Sequence, residues 1–162
     1  MDVRLATLDD AEPIRAIYNV EVLTSTVTFD LVPRTLEEQR AWLGARSGAH
    51  AVLVAEEAGE VVGFGSLSPW RDRPAYSTTV EDSVYIHRDH RGRGVGKALL
   101  DQLVDTATAH GFHACMARIV GGHAASIALH EACGFEVVGT EREVGRKLGR
   151  WLDVVLMERM LT

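Results

Sequence analysis

The stretch from Val84 to Leu100 restricts the fold more than any other part of this 162-residue chain. It opens on apolar, β-rich Val84, Tyr85 and Ile86 and passes through a basic turn carrying Arg88, His90, Arg91 and Arg93. Glycines then stand at alternate positions, Gly92, Gly94 and Gly96. Beyond them Leu99, Leu100, Leu103, Val104 and Ala107 recur at three- and four-residue spacing, the period of an amphipathic helix. A strand, a glycine loop and a helix start, in that order, turn backbone N–H groups toward one point. The aligned peptide dipoles add about half a positive charge there, so the loop suits an anion such as a phosphate. A glycine-rich turn that binds nothing is the other reading of the loop alone.

The spacing separates the phosphate-loop types. A Walker loop requires G-x-x-x-x-G-K-[ST], but Arg91 stands at its first glycine and Ala98 follows Gly96-Lys97, leaving no hydroxyl for magnesium. A dinucleotide fingerprint requires G-x-G-x-x-G, and here Lys97 occupies its third glycine position. What remains is R-x-x-G-x-G, read as Arg91, Gly94 and Gly96. This resembles the pyrophosphate-binding signature of the GNAT superfamily of N-acetyltransferases.

Size and composition are those of one compact domain, expected to span residues 1–162. Apolar residues make up 46% of the chain, ample for a core. A net charge of −6 argues against a nucleic-acid surface, which is usually basic. No run approaches the roughly 18 apolar residues of a membrane span, and the N-terminus lacks the apolar core of a secretion signal. Cys115 and Cys133 lie among apolar neighbours without metal-ligand spacing, which fits reduced core thiols and a cytoplasmic location.

Along the chain, Val3 and Leu5 suggest a short strand, and Thr7 to Pro13 supplies helix-start residues ahead of Ile14, Ile17, Tyr18 and Val22. Thr24 to Asp30 reads as a loop. Thr35 and Glu38 form a capping box that starts a second helix. Strands are expected at Ala51–Ala55, Val61–Leu67, Tyr76–Ile86, Ala114–Val120, Phe135–Val138 and Trp151–Met160, the last two separated by a basic turn at Gly145–Arg150. Gly111 ends the central helix, and a helix from Ala124 closes at Gly134. The order β-α-α-β-β-β-α-β-α-β-β predicts a mixed α/β (α+β) fold with a mostly antiparallel central sheet flanked by helices. It lacks the strict alternation of a doubly wound dinucleotide fold.

A second motif extends the resemblance. His123-Ala-Ala-Ser126-Ile-Ala-Leu-His130-Glu-Ala-Cys-Gly134-Phe135 is similar to the superfamily's N-x-x-S-x-x-x-[YH]-x-x-x-G-F segment, with His123 in place of asparagine. Pro69 to Tyr76, Thr79 to Ile86, Val144 to Asp153, Ile17-Tyr18-Asn19 and Leu129-His130-Glu131 resemble the phosphinothricin and methionine sulfoximine acetyltransferase branch. That resemblance implies a GNAT fold, acetyl-CoA as co-substrate, a small amino-acid-like acceptor, a homodimer and no metal. It implies CoA contacts from Val84, Tyr85, Ile86, Arg91, Gly92, Arg93, Gly94, Val95, Gly96, His123 and Ser126. Acceptor contacts are expected from Arg71, Arg73, Pro74, Ala75, Tyr76 and Glu81, with Lys147 and Trp151 near the same pocket.

The chemistry can also be built from the residues. Amine attack on a thioester needs a neutral amine, stabilisation of a developing oxyanion and a route for protons. An α-amino group titrates near ~8, so the deficit at neutral pH is only ~1.4 kcal/mol, against more than ~4 kcal/mol for a lysine amine. One carboxylate acting through water suffices for the first. The resemblance makes Glu81 the candidate general base and His130 the candidate general acid for the departing sulfur. The Ile86 N–H is the candidate oxyanion donor. Arginine pairs with carboxylates through two parallel hydrogen bonds, which suits Arg71 and Arg73 to an amino-acid acceptor. Glu81 as a solvated strand residue, His130 on a helix surface, and solvated loop arginines are the plainer alternatives. Two rival functions remain compatible: acetylation of another amine (a polyamine, an aminoglycoside or a protein N-terminus), and a non-catalytic acyl-CoA-binding module. The remaining histidines are expected at the surface.

Overall fold

In the computed structural model, which describes residues 1–46 and 48–162, seven strands form one sheet. The elements are β1 (Asp2–Leu5), α1 (Ala11–Thr24), α2 (Leu36–Gly44), β2 (Val52–Glu57), β3 (Glu60–Pro69), β4 (Thr79–Ile86), α3 (Val95–Ala109), β5 (Ala114–Val120), α4 (Ala124–Ala132), β6 (Glu136–Lys147) and β7 (Arg150–Met160). The strands lie in the order β1-β2-β3-β4-β5-β7-β6, and every neighbouring pair is antiparallel except β4 and β5. A parallel pair needs a long crossover, and the glycine loop with α3 provides it.

Strand alternation, reset at Val62 by a bulge in the β2–β3 ladder, splits the core between the two sheet faces. Leu53, Val62, Leu67 and Val80 pack with Leu99, Leu100 and Leu103 of α3, whereas Val52, Val54 and Phe64 pack with Ile14, Ile17, Tyr18 and Leu43 of the first two helices. The α3 stripe read from the sequence is fully buried. The Thr35 capping box is formed in both directions: Glu38 N–H donates to Thr35 Oγ1 at 3.1 Å and Thr35 N–H to Glu38 Oε1 at 3.0 Å.

Two expected boundaries are corrected. The strand begins at Thr79, because Pro74–Tyr76 forms a single 3₁₀ turn closed by Ser77 N–H on the Pro74 carbonyl (3.1 Å). Proline presets that turn, which takes Tyr76 out of the ladder. The basic turn expected at 145–150 is also shorter, and the strand expected at 135–138 is longer. β6 runs unbroken in the chain to Lys147, and Leu148 and Gly149, both at positive φ, make the turn. Register shifts between Val137 and Gly139 and between Glu141 and Gly145 break the alternation from which a strand is read.

Candidate active site

β4 and β5 are paired at only three positions, Thr79 with Ala114, Val80 with Cys115 and Glu81 with Met116. Beyond them the strands separate. The opposite edge of β4 stays in register with β3, where Ile86 stands across from Gly63 and His87 N–H donates to the Val62 carbonyl at 2.9 Å. In an antiparallel ladder the pair next to a hydrogen-bonded pair turns its backbone outward. The N–H and C=O groups of Ile86, and two residues earlier of Val84, therefore face the gap. Ile86 thus turns a main-chain N–H toward the gap.

A cavity of about 420 Å³ occupies the gap, within the ordinary range for small-molecule sites. Ser83, Val84, Tyr85 and Ile86 form one wall and Ala117 to Val120 the other. Ser126, Leu129 and His130 of α4 line one side, and Glu21 and Val27 line another.

Arg91, Gly92, Gly94, Val95, Gly96 and Lys97 also border the cavity. Gly94 is the N-cap of α3 at φ 82°, a left-handed conformation suited to glycine, and the first intrahelical bond is Ala98 N–H to the Gly94 carbonyl. The N–H groups of Val95, Gly96 and Lys97 consequently have no intrahelical acceptor and sit at the positive end of the dipole. At Gly96 an added Cβ would lie 3.1 Å from Leu129 Cδ2, so small size lets α3 approach α4. Arg91 donates to Glu21 at 2.7 Å, and Arg88 joins the same carboxylate at 3.1 and 3.3 Å. Burial raises the Glu21 pKa, but hydrogen bonds from Arg88 and Ser25 and the charges of Arg88 and Arg91 outweigh it and leave it lowered. Arg93 points elsewhere, 3.9 Å from Glu57, and is not a wall residue.

Glu81 is not a wall residue either, but Arg118, which is, grips both its oxygens at 2.8 and 2.7 Å. Arg118 lies 5.3 Å from the Trp70 ring centroid, and Arg71 lies 4.8 Å from the same ring. Arg71, Arg73, Pro74, Ala75 and Tyr76 are exposed and outside the cavity wall; they connect to it through Trp70 and Arg118. Lys147 is buried beneath the loop after α1, donating to the Thr28 carbonyl at 2.8 Å, while Trp151 is exposed under Arg146. Neither lines the cavity.

His130 is buried, not on the helix surface. Its Nε2 lies 2.9 Å from Asp82 Oδ1 and its Nδ1 2.8 Å from the Ser126 carbonyl. His123 lies half-buried on the cavity wall, and burial with nearby Arg91 lowers its pKa. His90, expected at the surface, also lines the cavity, with a buried Nδ1 that has no hydrogen-bond partner among the described residues.

Sequence reading passed over Glu21, Asp82 and Arg118 and put His90 at the surface. Two carried a signal. Asp82 interrupts the apolar alternation Val80, Val84, Ile86, and Glu21 falls on the apolar stripe of Ile14, Ile17, Tyr18 and Val22. A carboxylate on a buried face requires partners.

Free N–H groups at one end, bare strand backbone along the middle and titratable side chains beyond suit a ligand with a phosphate head and an extended amide-bearing arm. The family profile described as "Acetyltransferase (GNAT) domain" matches residues 3–156. An L-methionine sulfoximine/L-methionine sulfone acetyltransferase of Pseudomonas paraeruginosa is 42% identical over 158 residues, 96% of this chain and 92% of that one. A phosphinothricin N-acetyltransferase of Streptomyces coelicolor is 41% identical, over 99% of this chain and 96% of that one. An acetyltransferase from Salmonella typhimurium, solved with its cofactor acetyl-CoA, superposes with a TM-score of 0.96 at 39% identity, over 99% of this chain and 94% of that one. Similarity of this extent, on a fold whose one parallel strand pair opens beside a bare helix N-terminus, places the chain in the GNAT acetyltransferase family.

Proposed function

We propose that the protein transfers acetyl from acetyl-CoA to the α-amino group of a small amino acid or analogue, of the methionine sulfoximine, methionine sulfone or phosphinothricin type. The observation that carries this reading is the continuity of the gap. Its bare main chain at Val84 and Ile86 runs from the uncapped start of α3 toward the Glu81–Arg118 pair.

Acetyl-CoA supplies an acyl carbon activated by its sulfur. The N–H groups of residues 95–97 hold the diphosphate, and the outward backbone of Val84 and Ile86 pairs with the pantetheine arm. The Ile86 N–H stabilises charge developing on the carbonyl oxygen. Glu81 keeps lone pairs free beside its two bonds to Arg118, and accepts through water the proton that leaves the attacking amine. His130, beside the gap with both ring nitrogens engaged, assists the departing sulfur by its charge. Arg71 and Arg73, on the loop that reaches Arg118 through Trp70, pair with the acceptor carboxylate. Free thiols at Cys115 and Cys133 support a cytoplasmic setting.

The long edge strand β6 leaves Val137, Val138 and Val144 exposed, with Trp151 of β7 beside it. An apolar edge of this kind is a pairing surface, and we assign it to a homodimer. Sedimentation of the protein and of Val138→Lys tests that assignment: a dimer lost in the variant supports it, and a wild-type monomer refutes it.

The activity is tested by release of free CoA thiol with a panel of acceptors. Turnover with methionine sulfoximine, methionine sulfone or phosphinothricin is expected. Turnover with polyamines or peptide N-termini alone overturns the acceptor class. Acetyl-CoA binding without turnover overturns the enzyme reading.

A further inference from the structure

Asp82 is buried on β4, and none of the roles above uses it. Its surroundings fix the proton inventory around it. The Ser126 carbonyl only accepts, so the 2.8 Å contact from His130 Nδ1 requires a hydrogen on Nδ1. The 2.9 Å contact between Nε2 and Asp82 Oδ1 requires a second hydrogen. Without it, two lone pairs would face each other. The alternative neutral tautomer fails at the other nitrogen, where its lone pair would face the Ser126 carbonyl and Ser126 Oγ stands at 3.5 Å. The two side chains are 4% and 1% exposed, so water is almost wholly shut out as a substitute partner.

We infer that Asp82 is a positioning residue for His130: its carboxylate fixes the ring beside the β4–β5 gap with a proton on each nitrogen. The pair, and not an isolated imidazole, then sets the charge on the ring beside the gap. On acyl transfer the new C–N bond forms and the C–S bond breaks, with its electron pair going to sulfur. The amine gives up one proton through Glu81 and water and the departing sulfur gains one from solvent, so no proton is left over. With both ring N–H groups held by Asp82 and the Ser126 carbonyl, the imidazolium assists the sulfur by its charge.

The groups around the pair agree with this assignment. From β5, the Cys115 thiol lies 3.9 Å from Asp82 Oδ2, and burial and the Asp82 charge push its pKa well up, so it stays neutral. Ahead of β6, the Phe135 ring meets the imidazole edge-on at 5.0 Å. From β7, Arg159 engages the Cys133 carbonyl at the end of α4. At the start of α4, His123 is held below its ordinary pKa and adds little positive charge. Burial pulls the His130 pKa down, but the Asp82 hydrogen bond and charge, with the Ser126 carbonyl, outweigh it and leave it raised.

The inference rests on the acetyltransferase reading for its catalytic half and on geometry alone for the pairing, so two measurements separate them. The first is ring ¹⁵N NMR of His130 in the ligand-free protein, with the signal assigned by its loss in His130→Gln. Wild-type His130 is expected to titrate above the ordinary ~6.5, and Asp82→Asn to bring it below that value. Equal titration in both proteins overturns the pairing. The second is kcat against pH at saturating substrates. Asp82→Asn should move the alkaline limb toward acid by at least about one unit, an approximately tenfold loss on that limb, with KM for acetyl-CoA nearly unchanged. In a His130→Gln background the same change should have no further effect. An equal loss in both backgrounds overturns action through His130. Should Asp82→Asn not fold, Asp82→Ser removes the charge with a smaller side chain. A wild type that acetylates no amine sinks the catalytic half, while the ring titration still decides the pairing.

Discussion

Gly94→Ala tests the glycine loop quantitatively. Gly94 sits at φ 82° and ψ 6°, and a Cβ there would meet nothing within 4 Å. Steric collision therefore adds no cost within the protein. A left-handed alanine costs roughly 1–2 kcal/mol, while the loss of glycine's freedom in the unfolded chain returns about 0.4–1 kcal/mol. The net penalty is about 1 kcal/mol. If the loop keeps its shape, that penalty appears as a Tm lower by about 2–4 °C, with acetyl-CoA affinity unchanged. If the loop relaxes instead, the N–H groups of residues 95–97 lose their alignment and Kd rises about fivefold, the same energy read in binding. Thermal unfolding and calorimetry with acetyl-CoA measure both. Gly44→Ala is the control: Gly44 ends α2 at an ordinary φ with no atom within 4 Å of a Cβ, so alanine there should stabilise by up to about 1 kcal/mol. A Gly94→Ala protein matching wild type in both Tm and Kd would refute the argument. So would equal effects from the two substitutions.

Other outcomes follow from the site. Glu81→Gln should lower kcat by about 10²-fold or more with a smaller change in KM for acetyl-CoA, measured by thiol release. Arg118→Ala removes both bonds to Glu81 and the contact with Trp70, and should raise KM for the acceptor more than for acetyl-CoA. Lys147→Met leaves the buried Thr28 carbonyl without its donor and should destabilise the fold by about 1–3 kcal/mol in urea unfolding. His130 has a raised folded pKa, so its pairing stabilises fully below the ordinary imidazole pKa and loses that contribution as pH rises through the folded value. Unfolding free energies measured across that window should fall with pH in wild type and, in Asp82→Asn, rise with pH as it passes from the depressed His130 value to the ordinary one.

Some features are set by contacts close in sequence, and these could be read directly. The α3 stripe of Leu99, Leu100, Leu103, Val104 and Ala107, the Thr35 capping box, and the glycines at 94, 111 and 134 each express a local periodicity or a local φ requirement. Element order followed from them. Boundaries failed where local geometry departs from the simple period. Pro74 diverted Tyr76 into a turn, and bulges in β6 hid the strand beyond Val138, which runs on to Lys147.

The sequence by itself determined the element order, the glycine loop ahead of α3 and which side of α3 would face the sheet, because these depend on residues within a turn or two of each other. Tertiary structure alone decided that β4 and β5 part after Glu81, that Arg118 closes on Glu81 from 37 positions away, and that His130 meets Asp82 from 48. Such pairings depend on how two strands and a helix are brought together, and a charged side chain carries no local mark of the partner it will find across the sheet.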